Sequence, residues 1–98
     1  MKTDFIQSDT SSARLKKAGL RPTRQRLLLA NLLFSKGDRH VTAEILHAEV
    51  ISAGQQVSLA TIYNALRQFT DAGLLRELAV EGAKTYFDTN ITNHSHFF

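Results

Sequence analysis

Apolar positions recur at helical spacing through most of this 98-residue chain, and the spacing changes to a two-residue alternation near its end. The clearest helical segment runs from Val57 to Gly73, and its apolar residues form one stripe: Leu59, Ile62, Leu66 and Phe69. Ser58 stands at the N-cap position and Gly73 where a helix stops, so the segment predicts one capped helix. Tyr63 projects on the flank of the stripe, and small or hydrogen-bonding residues project away from it: Ala60, Thr61, Asn64, Arg67 and Gln68.

Two more periodic segments lie nearer the start of the chain. The first predicts a helix over residues 12–18, with Leu15 on its inward side. The second predicted helix is capped by Thr23 and ends at the Gly-Asp pair at 37–38. Residues 27–34 supply more apolar surface than one stripe needs, so we expect this helix to pack on two sides.

A third helix and a hairpin complete the predicted domain. Thr42 is a suitable N-cap for a helix that runs to Ser52, and its predicted buried side consists of Ala43, Leu46, Val50 and Ile51. A short turn separates this helix from the one that begins at Ser58, which is a helix-turn-helix pattern. Residues 74–80 and 83–88 then predict two strands joined by a tight turn. The predicted fold class is α+β, mainly α: a winged helix-turn-helix with three to four helices and a two-stranded wing.

Basic residues are concentrated in the first third of the chain. The formal net charge is only +3, but residues 14–26 contain no acidic residue and six basic ones: Arg14, Lys16, Lys17, Arg21, Arg24 and Arg26. Such a cluster can neutralise DNA phosphates and release their counterions. A solvated helix face is the alternative interpretation. The turn of the predicted wing brings Glu81, Gly82 and Lys84 toward a DNA backbone.

The composition excludes several classes of protein. There is no cysteine, which excludes disulfides and thiolate zinc sites in this chain. Charged residues interrupt every apolar run, so no membrane span is expected, and the first residues lack the pattern of a secretory signal. We therefore expect a cytoplasmic protein. We expect no enzymatic activity, because the sequence contains no nucleophile–base motif and offers no closed pocket for an activated water.

Four stretches resemble the DNA-binding half of the ferric uptake regulator (Fur) family: LKKAGLRPT at 15–23, HVTAE at 40–44, LATIY at 59–63 and FTDAGL at 69–74. The resemblance implies a homodimeric transcriptional regulator whose N-terminal winged helix binds an AT-rich palindromic operator in double-stranded DNA. On this basis we expect residues 1–88 to be the DNA-binding domain. Residues 89–98 are expected to be a hinge to a C-terminal dimerisation domain that this chain lacks.

The resemblance also assigns DNA contacts. Tyr63 matches the family's base-reading tyrosine, whose ring suits the methyl group of thymine, although packing against the core is the alternative role. Asn64 stands where relatives often have arginine, and it suits adenine, while Arg67 lies one turn further on. Arg21 matches the basic residue that reaches a narrow AT-rich minor groove. Phosphate contacts are expected from four further residues: Ser58, Thr61, Arg24 and Lys84.

A ligand-sensing site is implied by the same resemblance, and it falls on four residues: His40, Asp88, His94 and His96. Imidazoles with a carboxylate suit a divalent metal such as iron, manganese or zinc. Residues 87–90 and 97–98, however, look most like Irr, the iron response regulator of rhizobia, and this implies haem with an imidazole ligand. Ser95 departs from the Irr pattern, which often has histidine there. A polar tail is the alternative interpretation of the last two histidines.

The leading hypothesis is a sequence-specific DNA-binding regulator of iron- or haem-responsive genes. A Fur-type repressor that senses iron, manganese or zinc is the alternative. A winged helix that contacts proteins instead of DNA is a third hypothesis, and it predicts no salt-dependent affinity for DNA.

Overall fold

The computed structural model describes residues 2–79 and 84–92, and this part of the chain contains four helices and one three-stranded antiparallel sheet. The helices are α1 (Lys2–Lys17), α2 (Arg24–Phe34), α3 (Ala43–Ser52) and α4 (Leu59–Asp71). The strands are β1 (His40–Val41), β2 (Arg76–Ala79) and β3 (Thr85–Asp88). None of the helices in the described ranges is long and apolar enough to cross a lipid bilayer.

Three helices begin at the N-caps that the sequence predicts. The side-chain oxygens of Thr23, Thr42 and Ser58 accept backbone N–H groups three residues further on, at 3.2, 3.1 and 3.1 Å. Each such cap contributes about 1 kcal/mol to stability, because it satisfies a donor that the first turn leaves without a partner. The predicted starts of α2, α3 and α4 are therefore confirmed.

The end of α4 also follows the sequence. Gly73 adopts a φ of 85°, a left-handed conformation that glycine reaches without a steric penalty. The N–H of Leu74 then donates to the carbonyl of Phe69 at 2.8 Å, which closes the helix. Since α3 and α4 pack together and are joined by a short turn, the predicted helix-turn-helix is confirmed.

The core forms where all four helices meet the sheet. Helix α2 contacts both α1 and α3, as its wide apolar surface predicts. The largest fully buried side chains are Phe69, Phe87, Leu15, Leu29, Leu33, Leu46, Ile62, Leu66, Val41 and Val50. Because they come from α1–α4, β1 and β3, the wing is packed onto the helices and is not a free hairpin.

Strand β3 lies at the centre of the sheet, in the order β1-β3-β2. Val41 pairs with Phe87, and both side chains are buried. His40 pairs with Asp88, so these two side chains lie on the opposite, outer face. The two-stranded wing that the sequence predicts lacks β1, because a two-residue strand has no alternation that a pattern could show.

Two predicted helix bounds are wrong. Helix α1 begins at Lys2 and not at residue 12. The buried Ser11 hydroxyl, one residue ahead of the predicted start, donates to Asn31 Oδ1 of α2 and so belongs to the packed part of the helix. Helix α2 ends at Phe34, ahead of the predicted end at 37–38, and the Ser35 hydroxyl donates to the carbonyl of Asn31 there.

Two residues assigned to buried stripes are exposed instead. Leu59 is 38% exposed and Ile51 is 50% exposed. Each lies in a terminal turn of its helix, Leu59 in the first turn of α4 and Ile51 in the last turn of α3. Helical periodicity identifies the side of a helix that faces the core, but it does not show how far along the helix the core extends.

The two leucines of α4 provide a test of this correction. We expect Leu66→Ala to lower the free energy of unfolding by about 2–5 kcal/mol, because it leaves a cavity in the core. The same change at Leu59 should cost less than about 1 kcal/mol. Urea unfolding followed by circular dichroism measures both, and similar costs would contradict the exposed position of Leu59.

Candidate nucleic-acid interface

The outer face of α4 carries polar side chains, as the sequence predicts. Asn64 and Arg67 are exposed and lie one turn apart. Near the start of the helix, the Ser58 hydroxyl accepts the Thr61 N–H and donates to Thr61 Oγ1 at 2.9 Å. The two hydroxyl groups are therefore hydrogen-bonded to each other at the helix terminus.

A groove of about 670 Å³ separates the start of α2 from α4. Four predicted DNA contacts line it together: Arg21, Arg24, Thr61 and Asn64. Among the described residues that line the groove, three are arginines and none is acidic. A positive field is therefore concentrated beside the exposed helix, as an electrostatic footprint for nucleic acid requires.

Arg26 joins the two walls of this groove. Its guanidinium donates to the carbonyl of Arg21 at 3.0 Å and to Oε1 of Gln68 on α4, also at 3.0 Å. These bonds fix the segment that carries Arg21 against α4. Neither the basic cluster nor the polar side of α4 predicts this bridge from Arg26 to Gln68, because a bond between residues so far apart in the chain leaves no local signal.

Tyr63 lies on the other side of α4, next to the sheet. Its ring is 41% exposed and meets Phe87 in a T-shaped contact, with ring centroids 6.2 Å apart and planes at 86°. Lys84 and Glu44 line a small cleft of about 120 Å³ beside these two rings. Tyr63 thus touches the core and also presents ring surface to solvent, so the two roles considered for it are compatible.

The outer face of the sheet carries two of the predicted ligand-binding residues. His40 lies directly opposite Asp88, and its ring meets Tyr86 with centroids 5.8 Å apart. Asp88 is half-buried: one carboxylate oxygen accepts the Asn90 N–H at 2.9 Å, and the other lies 3.8 Å from the Arg76 guanidinium. An imidazole and a carboxylate side by side fit the donor preferences of a divalent transition metal.

His94 and His96 lie outside the described residues, as do Glu81 and Gly82 of the predicted wing turn. Within the described ranges, no three side chains of the metal-ligating types are grouped closely enough to hold an ion. The two described donors therefore form at most half of the four-residue set that the sequence implies.

Arg39 holds β1 in place beside His40. Its guanidinium donates to the carbonyl of Leu32 at 3.1 Å and to both carboxylate oxygens of Glu49 on α3. Its backbone exchanges hydrogen bonds with Thr89, just past β3. This one residue therefore connects α2, α3 and the end of the sheet. This role could not be predicted from the sequence, since neither Arg39 nor Glu49 belongs to a recognisable motif.

The helix-turn-helix with its antiparallel wing defines a winged-helix domain, and the comparisons with known proteins agree. Residues 17–98 match the model of the ferric uptake regulator family. The ferric uptake regulation protein of Shigella flexneri is 41% identical over 87 residues, and that of Vibrio parahaemolyticus is 39% identical over the same length. These matches cover 89% of this chain and 58% of each relative. The chain belongs to the ferric uptake regulator family.

Solved structures share the fold. The manganese-containing ferric uptake regulator of Pseudomonas aeruginosa superposes with a TM-score of 0.77 at 34% identity, covering 88% of this chain and 63% of that one. The Vibrio cholerae ferric uptake regulator gives a TM-score of 0.76 at 37% identity, covering 85% and 63%. The predicted winged-helix fold is confirmed, whereas none of these comparisons singles out the Irr branch.

Two arginines test the anchoring of β1. We expect Arg39→Met to lower the free energy of unfolding by about 1.5–3 kcal/mol, because it removes charge-assisted hydrogen bonds in a half-buried setting. Arg76→Met should change it by no more than about 0.5 kcal/mol, because the Arg76 side chain is 49% exposed and its ion pair is long. Thermal melts of both variants measure these losses of stability. Equal losses would contradict a special role for Arg39.

Proposed function

We propose that residues 1–88 form the DNA-binding unit of a Fur-type transcriptional regulator that reads AT-rich double-stranded DNA, with residues 89–98 leading toward the rest of the regulator. The observation that carries the proposal is the acid-free, arginine-lined groove beside the exposed face of α4. A helix of this kind docks in a major groove, while flanking cations reach the backbone or the adjacent minor groove. The regulator acts as a homodimer, so that two copies read two half-sites.

Each predicted DNA contact has a position consistent with its role. Tyr63 presents its ring to a thymine methyl, and Asn64 presents an amide suited to adenine. Arg67 extends the same face by one turn. Arg21 enters the minor groove from the loop before α2. Phosphate contacts come from Arg24, Lys84 and the Thr61 hydroxyl, with Ser58 acting chiefly through its backbone and cap.

Two exposed cations at opposite ends of α2 test the DNA interface. Arg21 lies in the loop before this helix and Lys36 just beyond its other end. We expect Arg21→Ala to weaken binding to an AT-rich duplex selected from a random pool by about tenfold. It should also reduce the slope of log affinity against log salt by about 0.9, because the cation that displaces a counterion in the minor groove is lost.

Lys36→Ala also removes one positive charge, and it should leave the affinity for the duplex and its salt slope nearly unchanged. Fluorescence anisotropy at several salt concentrations gives the affinity and the slope together. Equal effects of the two substitutions would contradict the placement of the DNA on the α4 side. A wild-type affinity without salt dependence would instead favour a winged helix that contacts proteins.

We further propose that the regulator responds to a divalent metal held by His40 and Asp88 together with His94 and His96. When bound, a metal supplies a positive charge that draws the ligating side chains together. The proposal is supported by the cross-strand pairing of an imidazole with a carboxylate. It is also supported by the names of the relatives, which are ferric uptake regulators, and by the manganese in the Pseudomonas aeruginosa structure. A haem response of the Irr type is the second candidate, favoured by the Irr-like residues at 87–90 and 97–98.

Separate titrations with Mn²⁺, Zn²⁺ and haem distinguish these ligands. We expect His40→Ala to weaken binding of Mn²⁺ or Zn²⁺, measured by calorimetry, by at least tenfold. His47→Ala is the matched control, because His47 lies half-buried on α3 and has no proposed role. One result would favour haem over a divalent metal as the ligand. In that result neither metal binds, and haem gives an absorbance change that His94→Ala and His96→Ala abolish.

A further inference from the structure

The ring of Tyr63 packs against the ring of Phe87, its one aromatic neighbour among the residues that the structure describes. The two rings are nearly perpendicular, with centroids 6.2 Å apart, which is a favoured geometry for an aromatic pair. Tyr63 remains 41% exposed, so much of its ring is free to face DNA. The Phe87 ring therefore sets the orientation of the exposed part of the Tyr63 ring.

Phe87 is itself held firmly. Its side chain is only 1% exposed, and it lies in the central strand of the sheet. On one side it is in register with Val41 of β1 and on the other with Glu77 of β2. A buried residue with hydrogen-bonded strands on both sides has little freedom to move, so it gives the Tyr63 ring a fixed support.

Open space lies directly beside this contact. The cleft of about 120 Å³ is lined by both rings, and also by Lys84 and Thr85 of the wing and by Glu44 at the start of α3. A shorter side chain at position 87 enlarges this space and removes the surface on which Tyr63 rests. The tyrosine ring can then turn toward the sheet and away from the exposed face of α4.

We propose that Phe87 is a specificity-determining positioning residue, which holds the Tyr63 ring at the angle where it meets the methyl group of thymine. Phe87 is buried and does not touch DNA, so its effect passes entirely through Tyr63. The inference rests on the proposed function, since it assumes that Tyr63 faces a thymine. Truncation of Phe87 removes recognition of the methyl group while the charge contacts and general affinity for DNA remain.

Deoxyuridine provides the probe, because it differs from thymidine only by that methyl group. The 98-residue chain is tested on a selected AT-rich duplex and on a copy that contains deoxyuridine in place of every thymidine. One well-contacted methyl group corresponds to about a fourfold difference in affinity, so we expect the wild-type protein to prefer the thymidine duplex by about this factor. Phe87→Leu should bring the ratio close to one, with little change in the slope against salt.

Phe69→Leu is the matched control, because Phe69 is also fully buried but belongs to the far end of α4. It should keep the fourfold ratio. In a Tyr63→Ala background the ratio is already close to one, and Phe87→Leu should not alter it further. Phe87→Met, which keeps more of the volume, replaces Phe87→Leu if thermal melts show that the leucine variant is unfolded.

The outcomes separate the two proposals. If the wild-type protein discriminates and Phe87→Leu discriminates equally well, the role of Phe87 is overturned and that of Tyr63 stands. Equal losses in Phe87→Leu and Phe69→Leu also overturn it, because they show a general loosening of the core. A wild-type protein that binds both duplexes equally overturns the thymine contact of Tyr63, although salt-dependent binding would still support a DNA-binding function.

Discussion

The burial of Phe87 in β3 is the contact on which the arrangement of the wing depends. Strands of two and four residues do not form a stable sheet alone, so this sheet requires a hydrophobic attachment to the helices. Phe87 and its partner Val41 supply that attachment from the inner face. Full burial of a phenylalanine contributes about 1.5–3 kcal/mol, and its T-shaped contact with Tyr63 adds about 0.5–1.5 kcal/mol. One strand thereby fixes both the position of the wing and the support of a residue on the exposed helix.

The elements that could be predicted from the sequence are those specified by nearby residues. A cap such as Ser58 and the glycine at 73 act within a few positions of themselves, so both ends of α4 could be located. Strand β1 could not, because its partner β3 lies more than forty residues away and two residues show no alternation. The exposure of Leu59 was missed for a related reason: the extent of the core along a helix depends on neighbours that the helix's own sequence does not contain.

In the candidate site, too, some features could be predicted from the sequence and others could not. The basic cluster could be recognised in the sequence, but which of its side chains make contacts within the fold could not. Arg14 stacks on the Phe34 ring at 4.4 Å, and Arg26 bridges to Gln68, so these two cations serve the fold. Arg21 and Arg24 are exposed in the groove beside α4. The difference is made by acceptors and rings that only the tertiary structure brings close, so a count of charges does not show which basic side chains are engaged within the fold.

The alternation of β3 puts residues with two different proposed roles on opposite faces of one strand. Asp88 points outward beside His40, and the adjacent Phe87 points inward beneath Tyr63. On the proposed function, a ligand that draws Asp88 and His40 together acts on the strand that supports the base-reading side chain. Such a ligand changes DNA affinity only if it binds more tightly to one conformation of β3 than to another, and only by that difference in binding free energy. A tenfold change in DNA affinity corresponds to about 1.4 kcal/mol, which is close to the largest free energy that one aromatic pair contributes. The ring contact alone therefore accounts for at most about a tenfold response, and a larger response requires further contacts to change.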